Sequence, residues 1–275
     1  MRLAAVNLHP VKSTAIRAVP SAYVGESGLR GDREWIVVAG DGTLVTAREL
    51  PDLFRIVADT PETGGPAGTH LRLSAPGAGT IDVERPIDGA GVEVAGLPTW
   101  RGRAADGDAD RWLRQALGHD GLRLVWCDDP RRRQLRREPF RPTDTAVFQD
   151  QSPVSLVTTA SMEQLGSWMG ADLPVGRFRP NLVVEGPLEA FAEDSWSQLR
   201  IGSATLRAVG PIDRCVMTTI DATTLTRAKE PIRTLSQHRK WDGKTWFAVH
   251  LVVDGQGELA VGDEVLPEAA QSAGR

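Results

Sequence analysis

The sequence has little cysteine: Cys127 and Cys215 are its only two in 275 residues. An iron–sulfur cluster ordinarily takes four thiolates, and a structural zinc site takes at least two together with well-spaced histidines, so neither is supported. The five histidines, His9, His70, His119, His238 and His250, show no H-E-x-x-H spacing. There is no GxxxxGK(S/T) phosphate loop, no GxGxxG after a strand and no GxSxG elbow. Nucleotide hydrolysis, dinucleotide-dependent hydride transfer and α/β-hydrolase chemistry therefore lack their usual signatures. No apolar run approaches the roughly 18 to 20 residues that span a bilayer. The start, MRLAAVNLHPVKS, has no long apolar core with a small-residue cleavage site, so a cytoplasmic protein without membrane association is expected. A net charge of -4 with 41% hydrophobic and 25% charged residues is that of an ordinary globular chain and implies no bulk affinity for nucleic acid.

What is present is a series of short β-rich runs between turn signals. Arg2–Leu8, Trp35–Ala39, Leu44–Thr46, Leu71–Leu73, Thr80–Val83 and Val92–Val94 read as strands in the first third. Asp41-Gly42 separates two of them as a hairpin signal. In the second half, Ser155–Val157, Leu182–Glu185, Gln198–Ile201, Thr205–Ala208, Cys215–Ile220, Phe247–Val253 and Glu258–Val261 read likewise. Many short strands at close spacing favour barrels or sandwiches. Helical spacing of apolar residues predicts a helix in Asp108–Gly118, with Asp108 as N-cap, and another in Thr159–Gly170. The length suggests about two domains, divided in the Gly/Asp-rich stretch Gly102–Gly107. The tail from Glu268 to Arg275 is small and polar and is expected to fray.

The chemistry-bearing residues are individually weak signals. Cys215 stands in the run 213–221, DRCVMTTID. A lone cysteine in a strand is usually a small buried hydrophobe, and the functional alternative is a thiolate favoured by Arg214 that acts as a nucleophile or soft metal ligand. Lys12-Ser13 follow the first strand, where amides, an ammonium and a hydroxyl can surround an anion. Arg33 in Gly31-Asp32-Arg33 could fork onto phosphate oxygens or pair with Asp32 or Glu34. Arg177 and Arg179 lead into a stiff Pro180 turn and suit a dianion. The arginines of 131–137 could contact an anionic ligand or nucleic acid, but without interleaved aromatics they read as a solvated basic loop.

In order, H-P-V-K-S at 9–13, G-D-R at 31–33, V-T-A-R at 45–48, D-Q-S-P at 150–153, F-R-P-N at 178–181, D-R-C-x-x-T-T-x-D at 213–221 and V-G-D at 261–263 resemble the MOSC family. The branch in question is that of the amidoxime-reducing components and their bacterial relatives, and the resemblance covers nearly the whole chain. It implies a β-rich α+β fold in which an N-terminal β-barrel domain, residues 1–105, packs with a MOSC β-barrel domain, residues 106–267, ahead of a tail at 268–275. It implies a molybdenum cofactor with Cys215 as protein ligand to the metal. Lys12, Ser13 and Arg33 match positions that hold the cofactor's phosphate, Gln151 and Ser152 a cofactor-contacting turn, and Arg179 the arginine of the F-R-P-N motif. Asp213, the nearest candidate acid, and Asn181 lie beside matched positions. His9 stands where the family commonly has tyrosine, and Gln151 where relatives carry threonine.

The implied activity is reduction of N-hydroxylated small molecules such as amidoximes, with electrons from a separate ferredoxin, flavodoxin or haem protein, for which the 131–137 arginines offer a positive surface. The alternative in the same family is a non-catalytic carrier of molybdenum cofactor or of sulfur on Cys215. A plain anion-binding β-protein is a third reading, and pyridoxal phosphate binding is a further association of the family.

Overall fold

A computed structural model describes residues 1–269. Among the described residues the chain is strand-rich with three α-helices: α1 at Gly107–Leu117, α2 at Thr159–Met169 and α3 at Ile232–His238. The largest sheet runs Arg17–Val19, Arg2–Leu8, Leu182–Glu185, Val154–Thr158, Lys244–Gly255, Ala204–Asp213, Trp196–Ile201 and Val265–Ala269, with Lys240–Trp241 paired onto the long fifth strand. A second sheet runs Gly91–Val94, Leu97–Ala104, Arg123–Trp126, Trp35–Val38 and Leu44–Val45, and two three-stranded sheets complete the set. The first strand of the chain thus belongs to the sheet built mainly from its second half.

Among the described residues, strand pairing within the sheets is antiparallel except between Val154–Thr158 and Leu182–Glu185. A parallel pair needs a crossover, and α2 lies in it. The strand period of two sends Leu156, Leu182 and Val184 into one apolar core and Val157 and Val183 into another beneath α2 and α3. The main sheet is therefore covered on both faces, which explains the continuous apolar runs. α1 turns Ala109, Trp112, Leu113 and Leu117 inward onto a separate core that includes Trp35, Leu53 and Leu71.

Both expected helices form. The cap of α1 is Asp106, whose carboxylate accepts from the amides of Asp108 and Ala109 at 3.1 and 3.0 Å. Asp108 instead lies in the first turn and pairs with Arg111. Gly118 closes α1 at φ +67°, and Thr158 caps α2. The Gly102–Gly107 stretch is a strand end followed by this cap, and Gly102 is required because a Cβ would collide with the Trp126 carbonyl. The Asp41-Gly42 hairpin forms, with Gly42 at φ +83°.

α3 carries no clear apolar stripe and is not anticipated by the sequence. Two further expectations are corrected. Glu268 and Ala269 do not fray but end a strand paired to Gln198 and Trp196, while residues 270–275 lie outside the described part. Cys215–Ile220 is not a strand: the ladder ends at Asp213, and Val216–Thr219 forms a 3-10 turn. The Thr218 and Thr219 hydroxyls donate to the carbonyls of Cys215 and Val216 at 3.1 and 2.7 Å, offering the backbone a local partner in place of a neighbouring strand. Cys215 consequently stands exposed beyond the sheet edge.

Candidate functional site

Two loops are pinned together by one buried carboxylate. Asp32 accepts from the His9 amide at 2.9 Å, contacts His9 Nδ1 at 3.1 Å and pairs with Arg33 at 2.6 Å. Burial opposes ionisation of Asp32, but Arg33 and His9 outweigh it and hold the carboxyl well below its usual range. The Arg33 amide donates to the His9 carbonyl and the Lys12 amide to the Trp35 carbonyl, each at 2.8 Å. These bonds hold Ser13 and Arg33 at φ +71° and +52°, and Arg179 on the F-R-P-N turn has φ +51°. Left-handed backbone is costly for residues other than glycine, and it persists where surrounding contacts impose it, often at functional sites.

The nine residues singled out by the sequence, Lys12, Ser13, Arg33, Gln151, Ser152, Arg179, Asn181, Asp213 and Cys215, all line one cleft with a cavity of about 260 Å³. Cys127, the other cysteine, is buried elsewhere with its thiol pushed up to about 12, chiefly by desolvation. The cleft also gathers Arg48, Asp150, Arg177, Arg214 and His250. Of these, Arg48 and Asp150 stand inside the V-T-A-R and D-Q-S-P motifs but carry no local pattern that assigns them a role. His250 has no metal-ligand spacing to mark it.

Most cations here are engaged. Lys12 Nζ lies 2.7 Å from Asp150 and donates to the Phe148 carbonyl at 2.9 Å. Desolvation lowers its pKa to about 8 despite the pull of Asp150. Arg48 reaches both Asp150, at 3.3 Å, and Cys215 Sγ, at 3.5 Å. Lys12, then Arg48 and Arg33, hold the Asp150 carboxyl, which is itself 58% exposed, below its usual range. Arg33 also donates to Asn181 Oδ1 at 3.2 Å, and buried Asn181 is tied by Nδ2 to the Asn7 carbonyl at 3.1 Å. Arg177 pairs with Asp221 at 2.8 Å.

Arg214 is not the cation beside the thiol that its sequence position suggests. Its guanidinium turns inward, donating to the Phe247 carbonyl at 2.7 Å and stacking 5.2 Å from the Phe178 ring. The group that meets Sγ is Arg48, distant in sequence.

Other donors are left without a partner. Among the described residues, Ser13 Oγ, Arg179 Nη2 and Arg214 Nη2 are buried and unbonded. Desolvation lowers both arginines to about 9, with Arg33 adding repulsion at Arg179. Unpaired buried donors on cations are costly, and an anion bound in the cleft relieves that cost. Ser152 Oγ is 2.9 Å from the Val154 carbonyl and 2.7 Å from His250 Nδ1. The carbonyl can only accept, so it takes the hydroxyl proton and Nδ1–H donates to Oγ. His250 Nε2 is then a bare acceptor without a partner. Burial and Arg214 push His250 down to about 3, so it stays neutral at ordinary pH. Among the described residues no cluster of three or more His, Cys, Asp or Glu side chains forms a metal site.

Residues 1–120 match the MOSC N-terminal beta barrel domain and residues 143–266 the MOSC domain. The human mitochondrial amidoxime-reducing component 1 is 33% identical over 94% of this chain and 80% of its own length, and the zebrafish (Danio rerio) protein of the same name is 34% identical over 94% and 82%. The chain belongs to the MOSC-domain family of the amidoxime-reducing components. A solved structure, the YuaD protein from Bacillus subtilis, is similar over 98% of this chain and 96% of its own, with a TM-score of 0.45 and 14% identity. The family assignment fits the β-rich α+β architecture and supports a link with molybdenum cofactor and N-reductive chemistry at the level of the family. Neither the cleft nor these relatives supports pyridoxal phosphate binding.

The arginine-rich loop does not line the cleft. Arg131 and Arg132 pair with Asp129 and Asp128 at 2.9 and 3.0 Å. Arg133 is buried, donating to the carbonyls of Val147 and Asp150 at 2.8 and 2.9 Å. It braces the cleft wall from behind. No helix among the described residues is long and apolar enough to cross a membrane.

Proposed function

We propose that this chain binds a molybdenum cofactor through Cys215 and reduces N-hydroxylated small molecules, amidoximes or hydroxylamines, to amidines or amines. The observation that carries the reading is the meeting, in one cleft, of an exposed thiol with buried, unpartnered donors on Ser13, Arg179 and Arg214. The donor set fits the group: a soft thiolate suits molybdenum, and guanidinium and hydroxyl donors suit a phosphate. When bound, the cofactor would supply two-electron oxygen abstraction.

The protein's share follows from its own residues. Ser13, Arg179 and Arg214 would take the anionic end, with Arg33 held ready by Asp32. Lys12 would join them by loosening its hold on Asp150. Arg48, braced by Asp150, orients the Cys215 sulfur. Neutral His250 offers an acceptor to an N–H or O–H donor, and Asp213 is the acid candidate nearest in sequence to Cys215. A cytoplasmic location and a separate electron donor belong to this reading.

The test is metal and pterin analysis of protein made in a cofactor-competent host, followed by assay on benzamidoxime with reduced methyl viologen. Stoichiometric molybdenum with turnover is expected, and loaded protein without turnover would refute the reductase. Exposure of Cys215 favours one second reading, a carrier of cofactor or persulfide sulfur. It predicts cofactor release to an acceptor protein, or a persulfide on Cys215, instead of turnover.

A further inference from the structure

Resting on the reductase reading, the reaction R–NH–OH + 2 e⁻ + 2 H⁺ → R–NH₂ + H₂O breaks the N–O bond and consumes two electrons. With no dinucleotide fingerprint and two cysteines, the chain carries no conventional group of its own to collect them from a soluble hydride donor. A reductant protein must therefore approach the exposed Cys215.

One surface is covalently and structurally continuous with that residue. The chain leaves the Cys215 turn, runs out from Arg227 to Lys244 and returns to the same place. At the outgoing end Ile220 bridges Arg227, the Ala228 amide donates to the Thr219 carbonyl at 3.0 Å, and the Arg227 guanidinium meets the Arg48 carbonyl. At the returning end the Arg214 amide donates to the Thr245 carbonyl at 2.7 Å, and Asp213 pairs in register with Trp246. The excursion carries six basic residues, Arg227, Lys229, Arg233, Arg239, Lys240 and Lys244, against Glu230 and Asp242, in a chain whose net charge is -4. Arg233 is paired with Glu230 and Arg239 with Asp194. Arg227, Lys229, Lys240 and Lys244 are exposed and have no carboxylate partner among the described residues. Between the last two lysines Trp241 is 40% exposed and stacks on Trp246 at 5.8 Å, and Val216, adjoining Cys215, is 45% exposed.

We infer that the Arg227–Lys244 excursion is the docking face for an acidic electron-carrier protein. Lysines around an exposed indole combine long-range attraction with a rigid apolar contact, the pattern of a small transient interface. The carrier delivers the two electrons, singly or together, and is itself oxidised; solvent supplies the two protons. The 131–137 loop is the weaker site: Arg131 and Arg132 are neutralised by neighbouring aspartates and Arg133 is buried. That leaves Arg136 and Arg137 as its exposed arginines without a carboxylate partner among the described residues, and neither adjoins Cys215 or an exposed indole.

The test uses the loaded full chain with an acidic plant-type ferredoxin and a flavodoxin as probes. Binding is measured by calorimetry, and KM for the reduced carrier is measured in benzamidoxime reduction at rising ionic strength. In the Lys240→Glu/Lys244→Glu variant, carrier KM should rise about tenfold and its salt dependence should flatten, while kcat with methyl viologen stays at the wild-type value. Arg136→Glu/Arg137→Glu, which removes the free cations of the 131–137 loop, should change neither. An unchanged carrier KM in the lysine variant, a loss confined to the arginine variant, or failure of both carriers to bind wild-type protein would each overturn the inference. Absence of viologen-driven turnover in wild type refutes the reductase reading instead, and the calorimetric comparison still decides whether the face binds an acidic carrier.

Discussion

Arg48 Nη2 lies 3.5 Å from Cys215 Sγ across 167 residues of sequence, and the same guanidinium group holds Asp150 at 3.3 Å. A single Nη2 nitrogen serves a carboxylate and a sulfur at once, held in place by a planar guanidinium that a lysine ammonium on its flexible stem does not reproduce. Arg48→Lys should therefore keep cofactor content near wild type while lowering kcat on benzamidoxime about tenfold, the cost of one charge-assisted hydrogen bond of roughly 1.5 kcal/mol. Unaltered kcat with molybdenum bound would show that the contact does not matter to turnover.

Cys215→Ser should abolish turnover and leave the fold intact, because an exposed side chain beyond the sheet edge supports no core and a hydroxyl is a harder, less readily ionised ligand than a thiol. Cys127→Ser should retain activity, since that thiol is buried away from the cleft. Circular dichroism with metal analysis checks the first variant. Wild-type rates in Cys215→Ser with molybdenum still present would remove Cys215 from the mechanism.

Arg179 and Arg214 carry buried donors without partners, so in the apo-protein they are a liability. Arg179→Met should leave apo-protein Tm unchanged or higher while cofactor occupancy drops at least tenfold, given about 1.5 to 3 kcal/mol for a hydrogen bond to a charged group. Lys12→Met should behave differently, costing apo stability as well, because it strips Asp150 of its 2.7 Å partner. Equal occupancy in both variants would place the anion elsewhere.

His250 gives the apo-protein an acid limb. Its folded pKa of about 3 lies below the ordinary 6.5, so between those values the unfolded chain binds the extra proton. Stability contributed by the neutral ring is complete above about pH 6.5 and is lost as pH falls towards 3, at up to about 1.4 kcal/mol per pH unit. His9, also lowered by burial, and Asp32, held low by Arg33 and His9, slope the same way. Urea unfolding at several pH values should show a slope about one proton shallower for His250→Gln. An identical slope would mean that the ring is already charged in the fold.

Sequence alone determined the β-rich architecture and the α1 and α2 spans, which are properties of local spacing: alternation on strands and three-to-four spacing on helices. The Asp41-Gly42 hairpin forms for the same local reason. The nine site residues were legible only through the ordered motifs that resemble the MOSC family, since each is a weak signal by itself. Tertiary structure decided the rest, because it depends on which distant groups compete for the same partner. Whether Cys215–Ile220 continues a strand turned on two threonine hydroxyls capturing nearby carbonyls. Which cation meets the thiol turned on the Phe247 carbonyl and the Phe178 ring drawing Arg214 inward, leaving the place to Arg48. The basic loop loses part of its charge because Asp128 and Asp129 neutralise two of its arginines and the cleft wall buries a third, leaving Arg136 and Arg137 exposed. Residue type and order fixed what could gather at the site; packing and charge pairing fixed which of those groups remain free to act.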